Sequence, residues 1–158
     1  MGRRPAMDMP QAAAAVPPGF VRIPTSQFVE VNGPFYGRMA DGKFTLGLRI
    51  EERHCNQRNV AHGGMLMTFA DMTLALGANF EAKLYRFLPT IKLEGDFLAP
   101  VGIGCWLEGR AEALSITRNM VFAAGLLSVA GKAVMRVSAI MKLPSAPDPS
   151  WTHDRLFA

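Results

Sequence analysis

From Phe44 to Ile50 apolar and polar positions alternate, with Phe44, Leu46, Leu48 and Ile50 set against Lys43, Thr45, Gly47 and Arg49. A period of two predicts a half-buried strand. The alternation returns at Ile91, Leu93 and Phe97 against Lys92, Glu94 and Asp96, and Pro100 closes that run. Ile103, Cys105, Leu107, Ala111 and Ala113 then share one face opposite Trp106, Glu108, Arg110 and Glu112, which predicts a long strand with one polar face. Met120 to Ala130 and Ala133 to Leu143 read as two more strands, joined by a hairpin at Gly131-Lys132.

Between the first two strands the pattern changes. Met65, Leu66, Met67, Phe69, Ala70, Met72, Leu74, Ala75, Leu76, Ala78 and Phe80 leave no wide polar stripe on a helix, so this helix should be wrapped by other structure. At about sixteen residues it is shorter than the roughly twenty needed to cross a bilayer. One strand, a buried helix and four further strands make an α+β pattern, in which an antiparallel sheet hides the helix by curling around it. Upstream, Phe28, Val29 and Val31 followed by Asn32-Gly33-Pro34 predict a short apolar lead-in that ends in a turn. Residues 1–19 lack periodicity and 144–158 are rich in proline and polar residues, so both read as tails, the first disordered, around a domain at 20–143.

Composition narrows the function classes. A chain of 158 residues is about one domain. Its net charge of +4 comes from scattered basic residues, which argues against a nucleic-acid footprint and suits a substrate with an acidic tail. Cys55 and Cys105 form no C-x-x-C pair and read as reduced thiols of a cytoplasmic protein. Arg3 and Arg4 precede only the short apolar run Ala12 to Val16, too little for a signal peptide, so no membrane association is expected.

The candidate chemistry sits where the helix begins. Gly63 and Gly64 follow His62, so no side chain shields the first backbone N–H groups, which lack intrahelical partners and carry the positive end of the dipole. Such a start can hold an anion or an oxyanion. Asp71 stands alone as a carboxylate in the apolar helix, with Thr68 a turn before it and Thr73 after it. It reads equally well as a structural carboxylate hydrogen-bonded by Thr68 or as a functional group.

Asn56, then His62-Gly63-Gly64, then Asp71 form the pattern N-x5-HGG-x6-D in a helical context. In this the chain resembles the hotdog-fold acyl-CoA thioesterases of the phenylacetate-pathway type, over about residues 20–143. The resemblance implies a curved antiparallel sheet of five to six strands around one long helix. It implies hydrolysis of an acyl-CoA thioester to a carboxylic acid and coenzyme A, with no cofactor beyond the coenzyme A of the substrate. Asp71 would activate the attacking water or attack the thioester itself, and the Gly63 N–H would stabilise the oxyanion. His62 would shape the carbonyl pocket, Asn56 would stand near the water or the carbonyl, and Thr90 would support the water. Gly64, Thr68, Arg118 and Asn119 are the candidates for substrate contact, the last two toward cofactor phosphates. Where relatives usually carry glycine three residues before the histidine, this chain has Asn59, a residue that tolerates a left-handed backbone.

Other readings stay open at this level. Asn56 also suits an ordinary turn, and Arg118-Asn119 a solvated one. His54, Cys55 and His62 fit no standard zinc spacing, so no metal is expected. A hotdog enoyl-CoA hydratase or dehydratase and a non-catalytic acyl-CoA-binding module are the alternative functions. Gly63 and Asp71 are eight positions apart, about 12 Å along one helix, too far for both to serve one carbon in one chain. A homodimer with antiparallel central helices, or a tetramer made of two such dimers, is therefore expected.

Overall fold

The alternating runs become strands of one antiparallel sheet, and the apolar run becomes the helix that this sheet wraps. The computed structural model describes residues 15–25 and 27–148, so the outer parts of both expected tails lie outside the described residues. In chain order come β1 (Val21–Arg22), α1 (Gln27–Asn32), β2 (Phe35–Ala40), β3 (Lys43–Arg49), a short 3-10 turn (Glu52–His54), α2 (Gly63–Glu81), β4 (Thr90–Phe97), β5 (Trp106–Ile116), β6 (Met120–Val129) and β7 (Lys132–Lys142). The seven strands are ordered β1-β2-β3-β5-β6-β7-β4, so β4 forms one edge.

Seven strands replace the five to six expected. The lead-in is not one apolar element: it supplies β1, α1 and β2, with β2 paired to β3 through a turn at Asp41-Gly42. The β6–β7 turn falls at Ala130-Gly131 rather than Gly131-Lys132, because those two residues carry the positive φ values of 48° and 77° that a two-residue hairpin loop requires. The long third strand starts at Trp106, since Gly104 takes a φ of 82° and interrupts the run from Ile103.

α2 runs nineteen residues and crosses the concave face of the sheet. It lies close to β5 where side chains are missing: a methyl on Gly109 would come 2.2 Å from Thr73 Oγ1, and one on Gly77 would come 2.8 Å from the Ala111 carbonyl oxygen. The core between them is built on rings, with Phe35 stacked on Phe69 at 6.1 Å and Phe44 against Phe80 at 5.0 Å. Phe35, Phe44 and Phe69 are buried, each contributing about 1.5–3 kcal/mol relative to exposure.

β3 is buried on both faces rather than half-buried. On the outer side Gly47 leaves room for the Trp106 ring, which Phe20 meets edge-on at 5.1 Å, so the segment before β1 covers that face. Among the described residues no helix is long and apolar enough to cross a membrane.

Candidate active site

The site begins in the segment before α2. The Glu51 N–H donates to His54 Nδ1 at 3.0 Å, and His54 is buried beneath the turn. Burial, with the Arg53 guanidinium beside it, holds this imidazole below its ordinary value, so it is neutral at pH 7. The chain then doubles back: Asn56 N–H donates to the Val60 carbonyl at 2.9 Å, and Cys55 bridges Ala61. Asn59 takes a φ of 57°, so asparagine does serve at the left-handed position of this turn. Asn56 Oδ1 accepts from the Arg58 N–H at 2.9 Å, the turn role open to it, while its amide nitrogen has no acceptor among the described residues.

These bonds hold the chain that enters α2. Ala61 N–H donates to the Val101 carbonyl at 2.7 Å and His62 N–H to the His54 carbonyl at 2.8 Å. His62 is the N-cap. Its Nδ1 accepts from Gly64 N–H at 2.9 Å, which leaves Nε2 as the ring's N–H donor, on an exposed side chain. The His62 carbonyl accepts from Met65 and Leu66 at 2.9 and 3.1 Å. Of the first four helical N–H groups, only that of Gly63 meets no acceptor among the described residues. It opens onto a cavity of about 310 Å³ lined by Gly63, Leu66, Phe97 and Pro100.

One face of α2 runs along β4. A methyl on Gly63 would lie 3.4 Å from the Phe97 ring, and a methyl on Gly95 would lie 3.3 Å from Met67 Sδ. Two turns beyond Gly63, Thr90 Oγ1 donates to Asp71 Oδ1 at 2.6 Å. The partner of Asp71 is thus Thr90, not Thr68, whose hydroxyl turns back to the Gly64 carbonyl at 3.0 Å. Asp71 is half-buried rather than enclosed, and the outer edge of β4 pairs with no strand among the described residues.

Other candidates lie apart from this face. Arg118 and Asn119 are exposed on the β5–β6 turn, at the Thr90 end of the sheet, where the Asn119 carbonyl accepts from Leu143 N–H at 2.7 Å. Cys55 Sγ is 3.4 Å from the Glu51 carbonyl, and burial followed by the charge of Glu52 pushes its thiol up, away from a nucleophile's range. No group of three His, Cys, Asp or Glu suited to a metal occurs among the described residues. Phe97 is the neighbour of the helix start that the sequence reading passed over. Its place as the last apolar position of the alternating run from Ile91 is visible in the sequence, but its proximity to Gly63 depends on the packing of β4 against α2.

Residues 58–133 match the thioesterase superfamily. Over 131 residues the chain is 33% identical to a provisionally named esterase of Pseudomonas aeruginosa, covering 82% of this chain and 98% of that protein. Among solved structures, zebra fish thioesterase superfamily member 2 matches with a TM-score of 0.67 at 22% identity, over 76% of this chain and 88% of that one. A hypothetical thioesterase of Streptococcus pneumoniae, solved with coenzyme A, matches with a TM-score of 0.62 at 17% identity, over 72% of this chain and 88% of the other. At these identities the two structures speak for a shared fold, the hotdog arrangement.

Proposed function

We propose that this chain, which belongs to the thioesterase superfamily, hydrolyses acyl-CoA to a carboxylic acid and free coenzyme A. The observation that carries this reading is the Gly63 N–H, the one donor of the helix start without an acceptor among the described residues, beside a cavity lined by Leu66, Phe97 and Pro100. A thioester carbonyl placed there would accept that hydrogen bond, and the helix dipole would favour the charge that develops on its oxygen. Asp71, oriented by Thr90, would take a proton from water as the water oxygen bonds to the carbonyl carbon. The C–S bond then breaks, and the leaving thiolate takes up the proton. Direct attack by Asp71, followed by hydrolysis of the anhydride, uses the same geometry. The exposed His62 side chain and the Asn56 amide nitrogen, which meets no acceptor among the described residues, are available to the carbonyl or the water.

Gly63 and Asp71 share one face of one helix but lie about 12 Å apart along it, whereas an oxyanion donor and a base must act within several ångströms. Two subunits with antiparallel α2 helices would bring Asp71 of one to Gly63 and Asn56 of the other. The outer edge of β4, which flanks this face and pairs with no strand among the described residues, supports such an assembly, since an open strand edge is a template for pairing. The working unit is then a homodimer or a dimer of dimers, with coenzyme A entering only as part of the substrate.

Release of free thiol from a panel of short, long and aromatic acyl-CoAs tests this function. Turnover of at least one panel member is expected. A protein that binds acyl-CoA and frees no thiol, or one that hydrates an enoyl-CoA instead, would overturn it.

A further inference from the structure

The cavity at the helix start has a wall of its own. Phe97 ends β4 on the concave side of the sheet, paired in register with Met135 of β7, and its ring stands 3.4 Å from where a Gly63 methyl would be. Phe97 is 55% exposed and no residue of β4 is fully buried, so the ring stands at the open edge of the sheet beside the start of α2. The segment after it is held in place, since Leu98 N–H donates to the Val134 carbonyl at 2.9 Å and Ala61 N–H to the Val101 carbonyl at 2.7 Å. The wall opposite the helix is therefore backed by the sheet.

An acyl group that presents its carbonyl oxygen to the Gly63 N–H, at about 3 Å, has its first carbons against the Phe97 ring. The cavity that one chain offers there, about 310 Å³ and open on its outer side, is at the bottom of the roughly 300–1,000 Å³ span of small-molecule pockets. The side chains of Leu66, Phe97 and Pro100 form the apolar part of its lining. We propose that Phe97 is the specificity-determining residue of the acyl pocket, and that it selects compact apolar acyl groups by blocking the path of long unbranched chains. This rests on acyl-CoA being the substrate. The ring limits chain length by bulk, so removing it admits longer chains and enlarging it excludes more of them.

The test compares wild-type, Phe97→Ala and Phe97→Trp on straight-chain acyl-CoAs from butyryl to palmitoyl. Kd is read by calorimetry alongside kcat/KM, and light scattering monitors the oligomeric state of each variant. One methylene in an apolar pocket discriminates by about tenfold or more, so the ratio of long-chain to short-chain kcat/KM should rise at least about tenfold in Phe97→Ala and fall in Phe97→Trp. The Kd series should move in the same direction. Identical chain-length profiles in all three proteins, by turnover and by binding, overturn the proposal. If no acyl-CoA is hydrolysed by the wild-type, the hydrolytic reading fails, and the Kd series alone decides the role of Phe97. A shift that appears only where the oligomeric state has changed assigns Phe97 to the subunit interface and also overturns it.

Discussion

Replacing Asp71 by Asn is expected to lower kcat about 10²- to 10⁴-fold while KM and the melting temperature stay near wild-type. The expectation follows from what the substitution keeps. Thr90 Oγ1 donates to Asp71 Oδ1, and the Oδ1 of an asparagine accepts the same bond, so shape and the link to β4 survive. Only the basicity and the nucleophilic oxygen are lost. A carboxylate at this half-buried helix position could otherwise serve merely to tie α2 to β4. In that case the Asn variant, which ties it equally well, should turn over normally. Initial rates at saturating acyl-CoA, with a thermal melt on the same preparation, separate the two roles.

The second large effect is expected at Gly63. Gly63→Val should reduce kcat/KM at least about 10²-fold, the usual consequence of losing one oxyanion donor. The variant should also fold. A Cβ at this position meets the Phe97 ring at 3.4 Å, an ordinary contact with an exposed side chain, and valine is no worse than glycine in a helix. The branched side chain would cover the N–H that now opens into the cavity. Gly63→Ala should lie between wild-type and valine, because its single methyl narrows the approach without closing it. A folded, fully active Gly63→Val protein, judged by circular dichroism and thiol release together, would remove the helix start from the mechanism.

Local chemistry was legible in the sequence wherever it determined local structure. The alternation from Phe44 to Ile50 and from Ile91 to Phe97 marked β3 and β4 but not their burial, since β3 is covered on both faces and β4, at the sheet edge, has no fully buried residue. The apolar run after Gly64 marked α2, although its start at Gly63 and its end at Glu81 lie beyond the last purely apolar positions. β2 is hidden in the sequence because Gly37 and Arg38 break its alternation, although the Asp41-Gly42 turn that joins it to β3 carries a turn signal.

The candidate site divides in the same way. His62-Gly63-Gly64 is contiguous, and its cap geometry follows from those three residues. The partner of Asp71 does not: Thr68 is nearer in the chain, but a threonine in a helix satisfies its hydroxyl on the carbonyl four residues back, which leaves Asp71 to a residue of β4. Phe97 and Gly63 meet only because β4 and α2 lie side by side, a tertiary fact with no local trace.

The central claim is that one working site takes Gly63 from one subunit and Asp71 from another. Mixing the Asp71→Asn and Gly63→Val proteins, after mild denaturation and refolding to exchange subunits, tests it most directly. A heterodimer then has one site that collects both defects and one that collects neither. With random exchange, thiol release should return to roughly a quarter of the wild-type rate from two proteins that are each nearly inactive. Mixtures shown to have exchanged fully, for instance by native mass spectrometry, that remain as inactive as their parents would contradict the shared site.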